Sequence, residues 1–183
     1  MSGAGTDHAG PRVVLVGPMG AGKTTVAELL GARWDVPVRD TDHDVEAGAG
    51  KSISDIFVDD GEARFRTLER AAVAAALDAH SGVLALGGGA VLDPATRDSL
   101  RDHRVVFLEV GLSDAVKRVG LGAGRPLLLG NMRARIKALL DERMPVYREV
   151  AGIVVNTDGR TPQDVADEVA RLVEDAEQAR EKV

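Results

Sequence analysis

Five short runs of apolar, mostly β-branched residues are spaced along the chain: Arg12–Val16 (RVVLV), Val36–Asp40 (VPVRD), Val83–Leu86 (VLAL), Val105–Val110 (VVFLEV) and Gly152–Val155 (GIVV). They are nearly continuous, not alternating, which is the pattern of strands buried on both faces in a parallel sheet. Between them the apolar spacing lengthens to the helical period. After Lys23 the apolar positions Val26, Leu29 and Leu30 fall at i, i+3 and i+4. The stretch 62–79 is alanine-rich, and 133–148 is a basic segment with Ile136, Leu139, Leu140 and Met144 on one face. Near the end, Val165, Val169, Leu172, Val173 and Ala176 form one stripe, opened by Thr161 as cap and Pro162 in the first turn. Strands alternating with helices predict right-handed βαβ crossovers and a doubly wound α/β fold, a five-stranded parallel sheet flanked by helices.

Glycine is densest at Gly48–Gly50, Gly87–Gly89 and Gly120–Gly130, outside the first residues and one further loop. In a doubly wound sheet, glycines at strand ends are where ligands approach the backbone. The organisation expected is a solvated, disordered tail over 1–10, one domain over 11–176, and a charged end over 177–183. Within that domain, acceptor-side helices span about 41–70 and a small lid about 120–131.

Composition narrows the chemistry. The 183 residues are 44% hydrophobic, enough for one core, with 29 acidic against 23 basic side chains and a formal net charge of −6. An acidic chain without aromatic-interleaved basic stretches argues against general nucleic-acid binding. With no cysteine, disulfides, thiolate nucleophiles and Cys-ligated zinc are excluded. No apolar run approaches the roughly 18 residues of a membrane span, and MSGAGTDHAG has no apolar core of a signal peptide. A cytoplasmic, monomeric protein without nucleic-acid or membrane partners is expected.

Gly17-Pro-Met-Gly-Ala-Gly-Lys-Thr24 fits the pattern G-x-x-x-x-G-K-[ST], directly after the first strand and opening the first helix. Its glycines let backbone N–H groups converge on phosphate oxygens, and the helix N-terminus adds positive potential. Lys23 can reach the β- and γ-phosphates, and the Thr24 hydroxyl can ligate Mg²⁺. A plain glycine-rich turn with a surface lysine is the alternative. The late stretch Asn156-Thr157-Asp158-Gly159-Arg160-Thr161-Pro162 lacks the lysine of a guanine-reading Asn-Lys-x-Asp element, which weighs towards adenine.

Asp40-Thr41-Asp42 sits at the carboxyl end of the second strand. Asp40 there can hold Mg²⁺, and Asp42, two residues on, is expected on the same side of an extended backbone. The alternative is a helix cap with solvated charges. His43 and Asp44 extend the cluster, but no second histidine at ligand spacing supports a transition metal. Arg64 and Arg66 cannot share a helical face, and Glu69 is placed to brace Arg66 from three residues on. Gly87-Gly88-Gly89 ends the third strand, fitting either a ligand on main-chain N–H groups or a tight turn. Arg125, flanked by glycines in GLGAGRPLLLG, suits a mobile flap that brings an arginine onto transferring phosphate, or a flexible surface loop.

In order, GPMGAGKTT, DTD, SISDIF, DGEARFR, ALGGGAV, GRPLL and ERMPVY resemble the shikimate kinases, a nucleoside-monophosphate-kinase-like branch of phosphate-loop proteins, from about Pro11 to Arg171. The resemblance implies phosphoryl transfer from MgATP to the 3-hydroxyl of shikimate. It places Lys23, Thr24 and the amides of Gly20, Ala21, Gly22 and Thr25 on the ATP phosphates, with Thr24 and Asp40 on Mg²⁺. Asp42 would meet the shikimate hydroxyls as base or orienter. Arg66 and Arg143 would grip its carboxylate, with Gly87, Gly88 and Gly89 by the ring hydroxyls. Phe57 and Phe65 would line the apolar side. Arg125 would be the lid arginine, Arg118 would lie against adenine, and Arg160 belongs to the adenine-side loop. The residues independently suit such an acceptor, since a carboxylate asks for guanidinium forks and hydroxyls ask for carboxylate and backbone groups. Alternatives are another small-metabolite kinase of the same fold, such as a gluconate-type kinase, or a nucleotide-dependent binding module without transfer.

Overall fold

The computed structural model describes residues 10–123 and 129–182. Five parallel strands, β1 (Val13–Val16), β2 (Val38–Asp40), β3 (Val83–Ala85), β4 (Val105–Glu109) and β5 (Ile153–Asn156), form one sheet in the order β2-β3-β1-β4-β5. Val14 of β1 sits between Leu84 of β3 and Val105 of β4. Alternate side chains therefore enter opposite faces. Val13 and Leu15 join one core with residues of α1 (Lys23–Trp34) and α8 (Pro162–Glu181). Val14 and Val16 join a second with residues of α4 (Glu62–Ala79), α5 (Pro94–Leu100) and α7 (Leu129–Val150). Burial on both faces is the physical reason the strand segments read as unbroken apolar runs.

β2 begins at Val38, two residues later than the apolar run suggests. Val36 donates instead to Gly31 O of the preceding turn, and Pro37 has no N–H to give. The stretch of about 41–70 expected to be helical holds α2 (Thr41–Ala49) and α3 (Ile53–Asp59) ahead of α4, whereas α5 and α6 (Leu112–Ala123) were not expected from the apolar period. α2 overturns the expectation that Asp40 and Asp42 share an extended backbone. Only Asp40 is extended, at φ −125°, and its carboxylate accepts from Asp42 N–H to open the helix. α6 carries Gly120 inside it, so the described part of the glycine-rich stretch is helical. α7 starts at Leu129, earlier than the basic segment, and encloses Pro145.

A third, small cluster of Val45, Ile56 and Phe65 holds α2 and α3 on the N-terminal half of α4. Thr161 and Asp164 cap α8 reciprocally. The far end of α8 is tied down by charge. Glu177 accepts from Arg12 and Arg104, and Glu174 accepts from Trp34 Nε1 at 2.9 Å. No helix among the described residues is long and apolar enough to cross a membrane.

Candidate active site

The carboxyl ends of β1, β2 and β3 open on one cavity of about 400 Å³. The loop after β1 forms its floor. Gly22 takes φ 89°, a left-handed conformation that a side chain would strain, and leads into α1 with no side chain capping that helix. The first amides of α1 are thus left for an anion. Lys23 Nζ folds over the loop and donates to Gly17 O at 2.6 Å and Pro18 O at 3.0 Å. Burial pushes its pKa down to about 8, against the opposing pull of Asp42 and Asp40, and Arg143 adds to the depression.

Asp40 uses its two oxygens differently. Oδ1 caps α2, while Oδ2 accepts from Thr24 Oγ1 at 3.3 Å. A hydroxyl and a carboxylate brought together on the cavity wall are a hard-oxygen set, which suits Mg²⁺ and gives no purchase to softer metals. No cluster of three or more His, Asp or Glu side chains suited to a metal occurs among the described residues.

Asp42, one residue into α2, faces the same cavity. Burial raises its pKa, Asp40 adds to the rise, and Lys23 opposes it. Opposite stand Gly88, Gly89 and Arg143. Arg143 Nε is buried without a hydrogen-bond partner. An orphaned donor of this kind costs about 1–3 kcal/mol unless a ligand completes it.

Arg66 stands behind Gly89. Its Nη1 bridges to Glu69 Oε2 at 2.7 Å, and the Glu69 side chain is only 4% exposed. Burial raises the Glu69 pKa, with Arg66 opposing. A Cβ on Gly89 would lie 2.5 Å from Arg66 Nη1, so the glycine lets the guanidinium approach in this position. Arg64 is exposed, as the helical-face argument requires. Phe57 and Phe65 pack beside this group with ring centroids 4.7 Å apart and planes tilted by 36°. Gly87, whose N–H donates to the buried Thr41 Oγ1, supports the turn.

A second cavity of about 290 Å³ lies on the other side of the α1 N-terminus, lined by Ala21, Gly22, Thr25, Arg118, Arg160 and Pro162 among others. Arg118 is fixed there by Gly20 O, Thr157 Oγ1 and Thr157 O at 2.7–3.0 Å. Arg160 is held to α8 through Glu168 at 2.5 Å. The structure thus gathers Gly20, Lys23, Thr24, Thr25, Asp40, Asp42, Gly88, Gly89 and Arg143 into the first cavity. Arg66, Gly87, Phe57 and Phe65 are placed beside it, and Arg118 and Arg160 into the second. Arg125 lies outside the described residues.

Three contributors were missed. Met19 and Leu86 line the first cavity, and Thr157 holds Arg118. The x positions of the loop pattern and the residue after a strand signalled the first two, but nothing local signalled Thr157.

A parallel sheet of this order, with a phosphate loop after β1 and an acidic cap after β2, defines a nucleoside-triphosphate-binding phosphotransferase scaffold. The comparisons narrow the class. The family described as shikimate kinase matches residues 19–174. A shikimate kinase of Salinispora arenicola is 62% identical over 89% of this chain and 98% of its own. One from Thermobifida fusca is 56% identical over 88% and 94%. The structure of shikimate kinase from Acinetobacter baumannii in complex with shikimate superposes with a TM-score of 0.84 at 34% identity, covering 93% of this chain and 96% of that one. A gluconokinase from Sinorhizobium meliloti, at 19% identity and a TM-score of 0.56, shares the fold alone. The chain belongs to the shikimate kinase family, and its activity is the ATP-dependent phosphoryl transfer of that family.

Proposed function

We propose that this chain transfers the γ-phosphoryl group of ATP to the 3-hydroxyl of shikimate, and that the residues above divide the work. The observation that carries the reading is a single cavity lined by the phosphate-loop lysine together with Asp42, Gly88, Gly89 and Arg143, whose Nε has no protein partner. A small ring bearing a carboxylate and hydroxyls fits that donor set, and the relative solved with shikimate supports the assignment.

Arg143 and Arg66 grip the carboxylate, Arg66 from the brace of Glu69. Asp42 orients the 3-hydroxyl and takes its proton as oxygen attacks the γ-phosphorus. The new P–O bond forms as the bond to the β–γ bridging oxygen breaks, and ADP leaves with that oxygen. The raised Asp42 pKa favours this proton transfer. Lys23 and the loop amides hold the phosphates in line, Arg125 closes on them from the lid, and Arg118 and Arg160 border the adenine. Thr24 and Asp40 would hold Mg²⁺, which would offset the negative charge of the triphosphate. Phe57 and Phe65 form the apolar flank. Cytoplasmic residence, a monomeric state, and one domain over 11–176 with a lid at about 120–131 complete the proposal.

The test is ADP release measured with shikimate and with gluconate, beside calorimetric titration of shikimate and its methyl ester into the free protein. Turnover with shikimate alone, and binding that the ester abolishes, are expected. Turnover with gluconate in place of shikimate overturns the assignment, and binding of the ester equal to that of the acid removes the arginine grip.

A further inference from the structure

Tyr147 has no part in the division of labour above, yet its placement is constrained at both ends. Its side chain is 1% exposed, the largest among the fully buried ones. The ring stacks on Phe107 of β4 with centroids 5.0 Å apart and 25° between planes. The hydroxyl donates to Gly88 O at 2.5 Å, across from α7 to the turn after β3. A buried tyrosine hydroxyl needs a partner, but many carbonyls could serve. This one belongs to the peptide unit whose other end is the N–H of Gly89, a residue that lines the cavity.

Peptide planarity gives the contact its meaning. The Gly88 carbonyl and the Gly89 N–H belong to one trans peptide unit, so they point in opposite directions. Holding the carbonyl towards α7 turns the Gly89 N–H the other way. Among the described residues neither the Gly88 nor the Gly89 N–H has a protein acceptor, although Ala90 N–H closes the turn on Gly87 O. Both glycines line the cavity. Two adjacent glycines make a turn that other peptide orientations could satisfy, because neither residue restricts φ. The backbone alone does not select the orientation, and a hydrogen bond from outside the turn does.

Tyr147 also lies one helical turn after Arg143, on the same face of α7. Pro145 between them supplies no N–H to the helix, so a backbone bond is missing where the helix carries its cation. The Phe107 stack and the Gly88 contact fix the helix at that point. Burial pushes the hydroxyl pKa up to about 12, against the charge of Arg143, so the donor proton persists across the assay range.

We infer that Tyr147 is a positioning residue for the acceptor: its hydroxyl holds the Gly88 carbonyl so that the Gly89 N–H is presented to an acceptor hydroxyl, while its ring anchors the turn of α7 that carries Arg143. The inference rests on the proposed acceptor site and names what keeps that site in register.

The test uses the full chain and the Tyr147→Phe variant, with Leu100→Ala as a control. Leu100 lies in the same core, 1% exposed and outside both cavities, and its truncation lowers stability without touching the clamp. Tyr147→Phe is expected to raise the shikimate KM about tenfold, change kcat less, and leave the ATP KM unchanged. Leu100→Ala is expected to lower Tm at least as much while leaving both KM values as in the wild type. An unchanged shikimate KM in Tyr147→Phe, an equal rise in the ATP KM, or the same shikimate effect in Leu100→Ala overturns the inference. A second readout needs no turnover. In the free protein, the carbonyl ¹³C resonance of Gly88 and the amide resonance of Gly89 are expected to move in Tyr147→Phe, with Thr24 unmoved. A static Gly88 resonance overturns the clamp whatever the kinetics. If the wild type fails to turn over shikimate, the acceptor assignment fails by itself, and the resonances still decide the role of Tyr147.

Discussion

Lys23 offers the most quantitative test, because its position sets a cost that the nucleotide removes. The pKa falls from 10.5 to about 8, chiefly through burial. A difference of about 2.5 between folded and unfolded pKa values corresponds to about 3 kcal/mol against the charged lysine in the folded protein. The unfolded chain binds more protons than the folded one between those pKa values. Stability from this group therefore rises as pH rises from 8 to 10.5, and below 8 the whole cost is present. Bound phosphate reverses the preference, since an anion on the loop favours the ammonium. At pH 9 about one-tenth of free protein carries the proton, so binding MgADP is expected to take up about 0.9 proton, with apparent affinity falling towards tenfold per pH unit above 8. Calorimetry in buffers of different ionisation enthalpy measures the uptake directly, at a pH where the nucleotide is already fully ionised. Lys23→Met should show none. Negligible uptake by the wild type at pH 9, or equal uptake by Lys23→Met, refutes the reasoning.

Three further outcomes are expected. Arg66→Lys cannot keep a forked grip together with the Glu69 bridge, so the shikimate KM should rise tenfold or more with the ATP KM unchanged in steady-state assays, and equal effects on both would remove Arg66 from the acceptor side. Gly89→Ala places a methyl 2.5 Å from Arg66 Nη1, so Arg66 must move, and the same KM split is expected without loss of nucleotide affinity by titration. Glu177→Gln weakens a partly exposed bridge to two arginines, costing about 1 kcal/mol and roughly 2–4 °C in Tm with kcat unchanged. Against the upward push of partial burial, Arg12 and Arg104 hold Glu177 below its ordinary 4.5. Its contribution is thus present above that pH and lost on further acidification, where variant and wild-type melting temperatures should converge.

The strands were legible because their sheet is covered on both faces, which forces Val, Leu and Ile into consecutive positions. The phosphate loop was legible because its glycines and lysine are adjacent in sequence. The bounds of α2 were not, since TDHDVEAGA buries only Thr41 and Val45, and its ends are set by Asp40 at one side and a left-handed Gly50 at the other. α6 was hidden by Gly120 and Gly122, although Ala115, Val116 and Val119 pack inward at helical spacing. The acceptor cluster was only half legible. Asp42 and the glycine run announce themselves, but the orphaned Nε of Arg143 exists only because α7 folds against the turn after β3. Tyr147 sat in a recognised string, ERMPVY, without a role, because its partner is a backbone carbonyl 59 residues away. Contacts made by backbone atoms leave no mark on the identity of the residue contacted.

α4 enters two of the three apolar clusters. Val73, Ala76 and Leu77 are seated in the second core against the sheet, whereas Phe65, near the other end, belongs to the small cluster with Val45 and Ile56. Mechanically the helix is a lever clamped at its C-terminal half, and Arg66 rides on the free arm about 15 Å from the seat of Ala76. A tilt of about 5° displaces the guanidinium by about 1.3 Å, comparable to the misplacement that costs a positioned group roughly two orders of magnitude in rate. Three buried side chains, with Ala49, Ile53, Leu68 and Ala72 packed against them, resist that tilt. Changes that shrink this small cluster, such as Ile56→Val, would therefore act as detuning of the acceptor grip before they register as loss of fold.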